Sequence, residues 1–209
     1  YTLWHTLSLH DALPISEEAV YRVSRAGEVL FETLRTDLTG SYQSKNLATA
    51  LKSIDILNSL GYDLNRKSIT DGLAHVKQNT SLLGRWHILQ QSPLIICDTA
   101  HNEAGLAWNL RELKSMDVEN LHFVLGFVND KDMDTILPLF PKSANYYFTK
   151  ADIPRALNEQ ELKTKAATYG LRGDAFSDSA EALNEAKRQA QSDDLIYVGG
   201  STFLVSEVI

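Results

Sequence analysis

Three short polar runs in the second half of the chain carry residue types that could do chemistry. Asp98-Thr99-Ala100-His101-Asn102 sets a carboxylate, an imidazole and an amide close together. Gly126-Phe127-Val128-Asn129-Asp130-Lys131-Asp132 leads from a glycine to a lysine between two aspartates. Gly199-Gly200-Ser201 places a hydroxyl after two glycines. Each run follows an apolar stretch. A carboxylate at a strand end can accept hydrogen bonds from ribose hydroxyls. A helix N-terminus nearby offers free N–H groups and a positive dipole end to an anion. Arg85 follows Gly84, and its planar, permanently charged fork of donors suits a phosphate. Each residue also has a plain structural reading. Asp98, Asn102 and Ser201 could cap helices, Arg85 could form a surface salt bridge, and Asp130-Lys131-Asp132 could be a solvated helix start.

The elements around these runs read as a frame for them. Apolar runs at residues 93–97, 121–128, 144–148 and 195–198 look like strands. Between them lie helical stretches marked by Leu106, Leu110 and Leu113, by Met133, Ile136 and Leu137, by Leu162 and Ala166, and by Leu183, Ala186 and Ala190. Asp178 and Glu181 stand three apart as a cap for the last of these. Strand alternating with helix predicts parallel strands joined by crossovers, an α/β doubly wound sheet. Leu94-Ile95-Ile96-Cys97 is apolar throughout, as a strand covered on both faces should be. In such a sheet the ligand lies beyond the carboxyl ends of the strands, where the three polar runs fall.

Upstream the pattern differs. Residues 19–23 and 29–34 read as strands around the turn Arg25-Ala26-Gly27. From Ser44 the period turns helical, with Leu47, Leu51, Ile54, Leu57 and Leu60 on one face and Gly61 as the stop. A weaker helix covers residues 68–76, and Leu82-Leu83-Gly84 reads as a hinge. No internal repeat is visible. Trp86, Trp108 and Cys97 read as packing residues, and His75, His87 and His122 as structural.

Composition excludes several classes. The 209 residues carry 20 Lys and Arg against 27 Asp and Glu, a formal net charge of −7, which argues against a broad nucleic-acid surface. Hydrophobic residues at 44% and charged residues at 22% are ordinary for a globular chain. The single cysteine, Cys97, excludes an internal disulfide framework and a Cys-rich zinc site. No apolar run is long enough to span a membrane, and the expected location is the cytoplasm. Residues 6–16 have neither helical nor strand period, and they back-translate to a string resembling a common DNA-sequencing adapter. Residues 1–16 are accordingly expected to be a non-native leader, unpacked or packed only incidentally. His5, His10 and Asp11 are left out of the functional argument.

The motifs together resemble a known family. Gly40-Ser41-Tyr42-Gln43 followed by Asn46-Leu47-Ala48-Thr49-Ala50-Leu51 is similar to a late central-domain motif of folylpolyglutamate synthase/dihydrofolate synthase, in the Mur ligase superfamily of ATP-dependent amide ligases. Gly84-Arg85-Trp86 and Asp98 through Asn102 resemble its next two motifs. Gly126 through Asp132 resembles its glycine-to-Asp-Lys-Asp segment, and Pro154-Arg155-Ala156 and Gly200-Ser201 also fit. The resemblance covers about residues 17–209 and implies a C-terminal half: residues 17–83 from the central ATP-binding domain, and residues 84–209 as a Rossmann-like Mur ligase C-terminal domain.

The resemblance implies a reaction and roles. ATP phosphorylates a carboxylate, and the α-amine of L-glutamate attacks the acyl phosphate; the acceptor is dihydropteroate or a folate, in folate biosynthesis. Asn46 would meet adenine, since an amide can pair with its N6 and N7 edge. Arg85 would contact ATP, Asp98 the nucleotide at its ribose, and His101 a phosphate oxygen. Lys131 could neutralise a phosphate or a glutamate carboxylate, and Arg155 and Ser201 could bind the carboxylates of glutamate. The C-terminal domain would swing onto ATP about Gly84. The implied cofactors are ATP and Mg²⁺, with metal ligands expected upstream. No G-x-x-x-x-G-K-[ST] string occurs here, so the chain alone is expected not to form the acyl phosphate. Small molecules are the expected partners, with no nucleic acid and no membrane, for a monomer. Two rival readings are a peptidoglycan Mur ligase and a non-enzymatic nucleotide-binding domain.

Overall fold

The computed structural model describes residues 2–5 and 18–209. The chain divides into two compact units, residues 1–83 and 84–209.

In the first unit, β1 (Thr2–His5), β2 (Ala19–Arg25) and β3 (Glu28–Thr36) form an antiparallel sheet in that order. The β2–β3 turn uses Ala26 and Gly27, both at positive φ (51° and 89°), the geometry of a tight hairpin turn. Alternate residues Ala19, Tyr21 and Val23 of β2 point inward, with Phe31 and Leu34 from β3. Helix α1 (Gln43–Ser59) covers this face with Leu47 and Leu51. Gly61 at φ 94° ends it. The apolar stripe read from the sequence is only half used. Ile54 still packs against this core, whereas Leu57 is 37% and Leu60 70% exposed. Helix α2 (Arg66–Ala74) is capped by Asn65, whose side chain accepts from Ser68 N, and α3 (Val76–Thr80) follows.

Part of the expected leader lies in the first sheet. Its residues Thr2–His5 pair with Tyr21–Ser24 of β2. Pairing of this kind uses backbone N–H and C=O groups of a sheet edge and asks little of the sequence laid on it. Residues 6–16 lie outside the described residues.

The second unit is an α/β sheet of six strands: β4 (His87–Gln91), β5 (Leu94–Asp98), β6 (Leu121–Leu125), β7 (Asn145–Phe148), β8 (Gly173–Ala175) and β9 (Leu195–Gly199), in the order β4-β5-β9-β6-β7-β8. Only β4 is antiparallel to its neighbour. Helices α4 (Glu103–Lys114), α5 (Met133–Ile136), α6 (Glu159–Thr168), α7 (Ser179–Gln189) and α8 (Thr202–Val208) connect or follow the strands. Ile95, Ile96 and Cys97 of β5 and Ile196 and Val198 of β9 are 0% exposed, as central strands require. This is the mostly parallel, Rossmann-like sheet that the alternation predicts. Strand β8 is an addition, since Gly173-Asp174-Ala175 carries no apolar run to announce it. The expected strand at 121–128 stops at Leu125, and Val128 instead bridges Ala156.

Candidate nucleotide and anion site

The sheet's register brings the polar runs to one edge. Asp98 stands opposite Gly199, and Gly199 opposite Leu125, so the ends of β5, β9 and β6 lie side by side. Two glycines let the chain pass there. A Cβ on Gly126 would lie 2.8 Å from the Thr149 carbonyl oxygen, and one on Gly200, at φ 98°, would lie 2.8 Å from the Gly126 carbonyl oxygen. Only glycine fits such an approach.

Beyond these ends a cavity of about 290 Å³ is lined by His101, Val128, Asp130, Lys131, Arg155, Ser201, Thr202 and Phe203. Four of the residues picked from the sequence, His101, Lys131, Arg155 and Ser201, thus meet, although the chain between His101 and Ser201 spans most of the unit. Two of them are permanent cations. Lys131 is half-buried, with Nζ 3.8 Å from Asp130 Oδ1. The Arg155 guanidinium lies over the Phe203 ring, 4.9 Å from its centre, within cation–π range. Phe203 was not foreseen; nothing in the sequence marks an aromatic in the turn after Gly-Gly-Ser as the rest for a distant arginine.

Several of these side chains are engaged within the chain itself. Ser201 is 4% exposed, and its Oγ accepts from Phe203 N at 3.2 Å; it is the N-cap of α8, with its hydroxyl proton still available to a ligand. Asn102 caps α4 through Gly105 N at 2.8 Å. His101 is exposed, with Nδ1 3.0 Å from the Thr99 carbonyl oxygen. A carbonyl only accepts, so that nitrogen carries the proton, and Nε2 can donate to a phosphate only when the ring is an imidazolium. Asp98 is 1% exposed. Its Oδ2 accepts from Trp86 N and its Oδ1 from Ala100 N, both at 2.8 Å. The carboxylate is turned inward, where it gives the two backbone amides around it an acceptor. Arg85, between Gly84 and Trp86, is exposed and unpaired among the described residues. In the other unit, the exposed Asn46 donates through Nδ2 to Gln43 Oε1 at 2.8 Å.

The remaining sequence readings are structural. Cys97 is fully buried, and burial pushes its thiol up to about 12, with nearby Lys187 pulling down and Asp98 up; it is no nucleophile. His122 lies at the opposite edge of the sheet, 3% exposed, with Nδ1 3.0 Å from the Tyr147 hydroxyl and Nε2 3.3 Å from Asp194 Oδ2. Among the described residues no group of three or more His, Cys, Asp or Glu side chains could hold a metal ion. No helix of the described residues is long and apolar enough to cross a membrane.

Many ligand-binding α/β domains share a parallel sheet with glycines and cations at its carboxyl edge; here residues 84–202 match the family described as Mur ligase, glutamate ligase domain. The chain belongs to that family. Its relatives are folate-type synthases. The dihydrofolate synthase/folylpolyglutamate synthase of Escherichia coli K12 is 28% identical over 166 residues, covering 78% of this chain and 37% of the relative. The solved structure of E. coli FolC in complex with DHPP and ADP superposes with a TM-score of 0.73 at 25% identity, covering 99% of this chain and 44% of that one. A bifunctional folylpolyglutamate synthase/dihydrofolate synthase from Yersinia pestis, complexed with AMPPNP and Mn ion, gives a TM-score of 0.63 at 26% identity, covering 78% and 38%. The chain spans less than half the length of each.

Proposed function

We propose that this chain supplies the glutamate-ligase half of an ATP-dependent amide ligase that joins L-glutamate to dihydropteroate or a folate. The observation that carries the reading is the cavity at the sheet's carboxyl edge, where Lys131, Arg155 and His101 converge with Ser201. Cations and hydroxyl donors on a rigid rim suit a reaction whose substrates are all anions and whose catalysis is positioning and charge stabilisation. In this reading Arg85 and His101 face the phosphates of ATP, Asn46 serves its adenine, and Asp98 belongs to the nucleotide rim. Lys131 neutralises a phosphate or a glutamate carboxylate, and Arg155 and Ser201 hold the glutamate carboxylates. Mg²⁺ would bind to residues outside those described. The similarity to synthases solved with ADP and with AMPPNP supports this assignment. The chain would act in the cytoplasm on small molecules.

Binding tests the site. Arg155→Ala should weaken L-glutamate binding about ten-fold or more, the worth of a charge-assisted hydrogen bond, and leave thermal stability nearly unchanged. Equal glutamate affinity for the two proteins would remove Arg155 from the site. Assay of the protein from the complete gene separates the rivals. Glutamate-dependent turnover with dihydropteroate or folate supports the proposal, turnover with muramoyl precursors selects a peptidoglycan ligase, and ATP binding without turnover on either selects a binding domain.

A further inference from the structure

We propose that Asp98 is a positioning residue that fixes the direction of Arg85 through a backbone strap, Gly84-Arg85-Trp86. The proposal rests on the reading of this edge as a nucleotide site and assigns Asp98 a role other than holding the ribose. Both sides of Arg85 are pinned to the end of β5. On one side the Gly84 carbonyl accepts from Thr99 N at 2.9 Å. Gly84 has φ 71°, and a Cβ there would lie 2.8 Å from Thr99 Cγ2 and 2.9 Å from Val205 Cγ1. On the other side Trp86 has φ 51° and is 4% exposed. A bulky residue holds that left-handed conformation only where its surroundings dictate it. The dictating group is the Asp98 carboxylate, which takes the Trp86 N–H on Oδ2 and the Ala100 N–H on Oδ1. With the indole ring packed and the amide held, the backbone of Arg85 has one path. The exposed guanidinium is then presented from a fixed base, which reduces the ordering cost when it meets a phosphate.

The test uses the 209-residue chain. Backbone amide exchange by NMR reads the strap without any nucleotide. In the wild type the Trp86 amide should be protected. In Asp98→Asn one side-chain oxygen is replaced by an NH₂ that cannot accept, so protection at Trp86 or Ala100 should fall about ten-fold or more. The central strand amides should keep their protection, and Arg85→Ala should leave Trp86 unchanged. Titration with ATP and with tripolyphosphate reads the consequence. Arg85→Ala and Asp98→Asn should each lose about ten-fold in affinity, and the double variant little more than either alone. The ratio of ATP to 2′,3′-dideoxy-ATP affinity should be the same in Asp98→Asn as in the wild type. A Trp86 amide that exchanges freely in the wild type overturns the strap, even if Asp98→Asn does not fold. Additive losses overturn it as well, and a changed dideoxy ratio in Asp98→Asn restores a ribose contact. Protected Trp86 in a wild-type chain that binds neither ATP nor tripolyphosphate upholds the strap and sinks the nucleotide reading.

Discussion

Asp194, a buried carboxylate at the sheet's other edge, contributes to the acid sensitivity of the fold. It is 2% exposed, and burial alone would raise its pKa. Hydrogen bonds from Gln191 N, from Asn120 and from His122 outweigh that and hold it below the ordinary aspartate value. A carboxyl group more acidic in the folded than in the unfolded chain adds stability above its unfolded pKa, and that stability is lost as pH falls through the folded one. Asp194→Asn, which cannot accept all these bonds, should cost about 2–3 kcal/mol at neutral pH. Below about pH 4 the variant's urea-unfolding free energy should fall less steeply with acid than the wild type's. Parallel pH profiles would show that other carboxylates carry the acid sensitivity. His122, Asp194's partner, was recognisable as structural from its place in an apolar strand. Its partners were not, because Asp194 and Tyr147 approach it only through the parallel register. The same limit applies to Asp98. Its position at a strand end is legible from Leu94-Ile95-Ile96-Cys97-Asp98, but the inward turn of its carboxylate depends on the αL geometry of Trp86, for which no residue type is a signal.

Among the elements, the long apolar runs and the capped helices were legible, since burial on both faces and a side chain at the first turn leave direct marks in sequence. Asp178, read as the cap of α7, accepts from Glu181 N at 2.8 Å. Strand β8 left no such mark because it is a three-residue edge, and edges need little hydrophobicity. The glycines at the strand ends were visible, and the structure gives their reason. Gly126 admits the Thr149 carbonyl and also the Leu204 side chain, which a Cβ would meet at 3.3 Å. Gly126→Ala should therefore push β6 from β7 and α8, costing about 1–3 kcal/mol as overpacking does. Gly72→Ala, inside α2 with nothing within 4 Å of the added Cβ, should be neutral or stabilising by up to about 1 kcal/mol. Chemical denaturation of the two variants checks the contrast, and equal effects would remove close approach as the reason for Gly126.

On the scale of the whole chain, the two units differ in what they can do alone. Residues 84–209 contain a complete six-stranded sheet with its own core, so expressed by themselves they should unfold cooperatively, with a midpoint close to that of the same sheet in the 209-residue chain. Residues 1–83 leave Ile56 50%, Leu60 70% and Tyr62 61% exposed, and should give a weaker transition. Catalysis is a separate matter from folding. The carboxyl-edge cavity holds side chains able to bind phosphate and carboxylate groups, but phosphoryl transfer also needs a cradle for the β- and γ-phosphates, and no G-x-x-x-x-G-K-[ST] string occurs in the 209 residues. Loss of that charge stabilisation removes the main part of the rate acceleration in this class of reaction. The purified chain is therefore expected to bind ATP and yet release no phosphate in the presence of ATP, magnesium, L-glutamate and dihydropteroate. Phosphate release that requires both glutamate and the pterin would mean that the edge around Arg85, Lys131 and Arg155 activates the pterin carboxylate unaided, and the need for a separate phosphate cradle would fall.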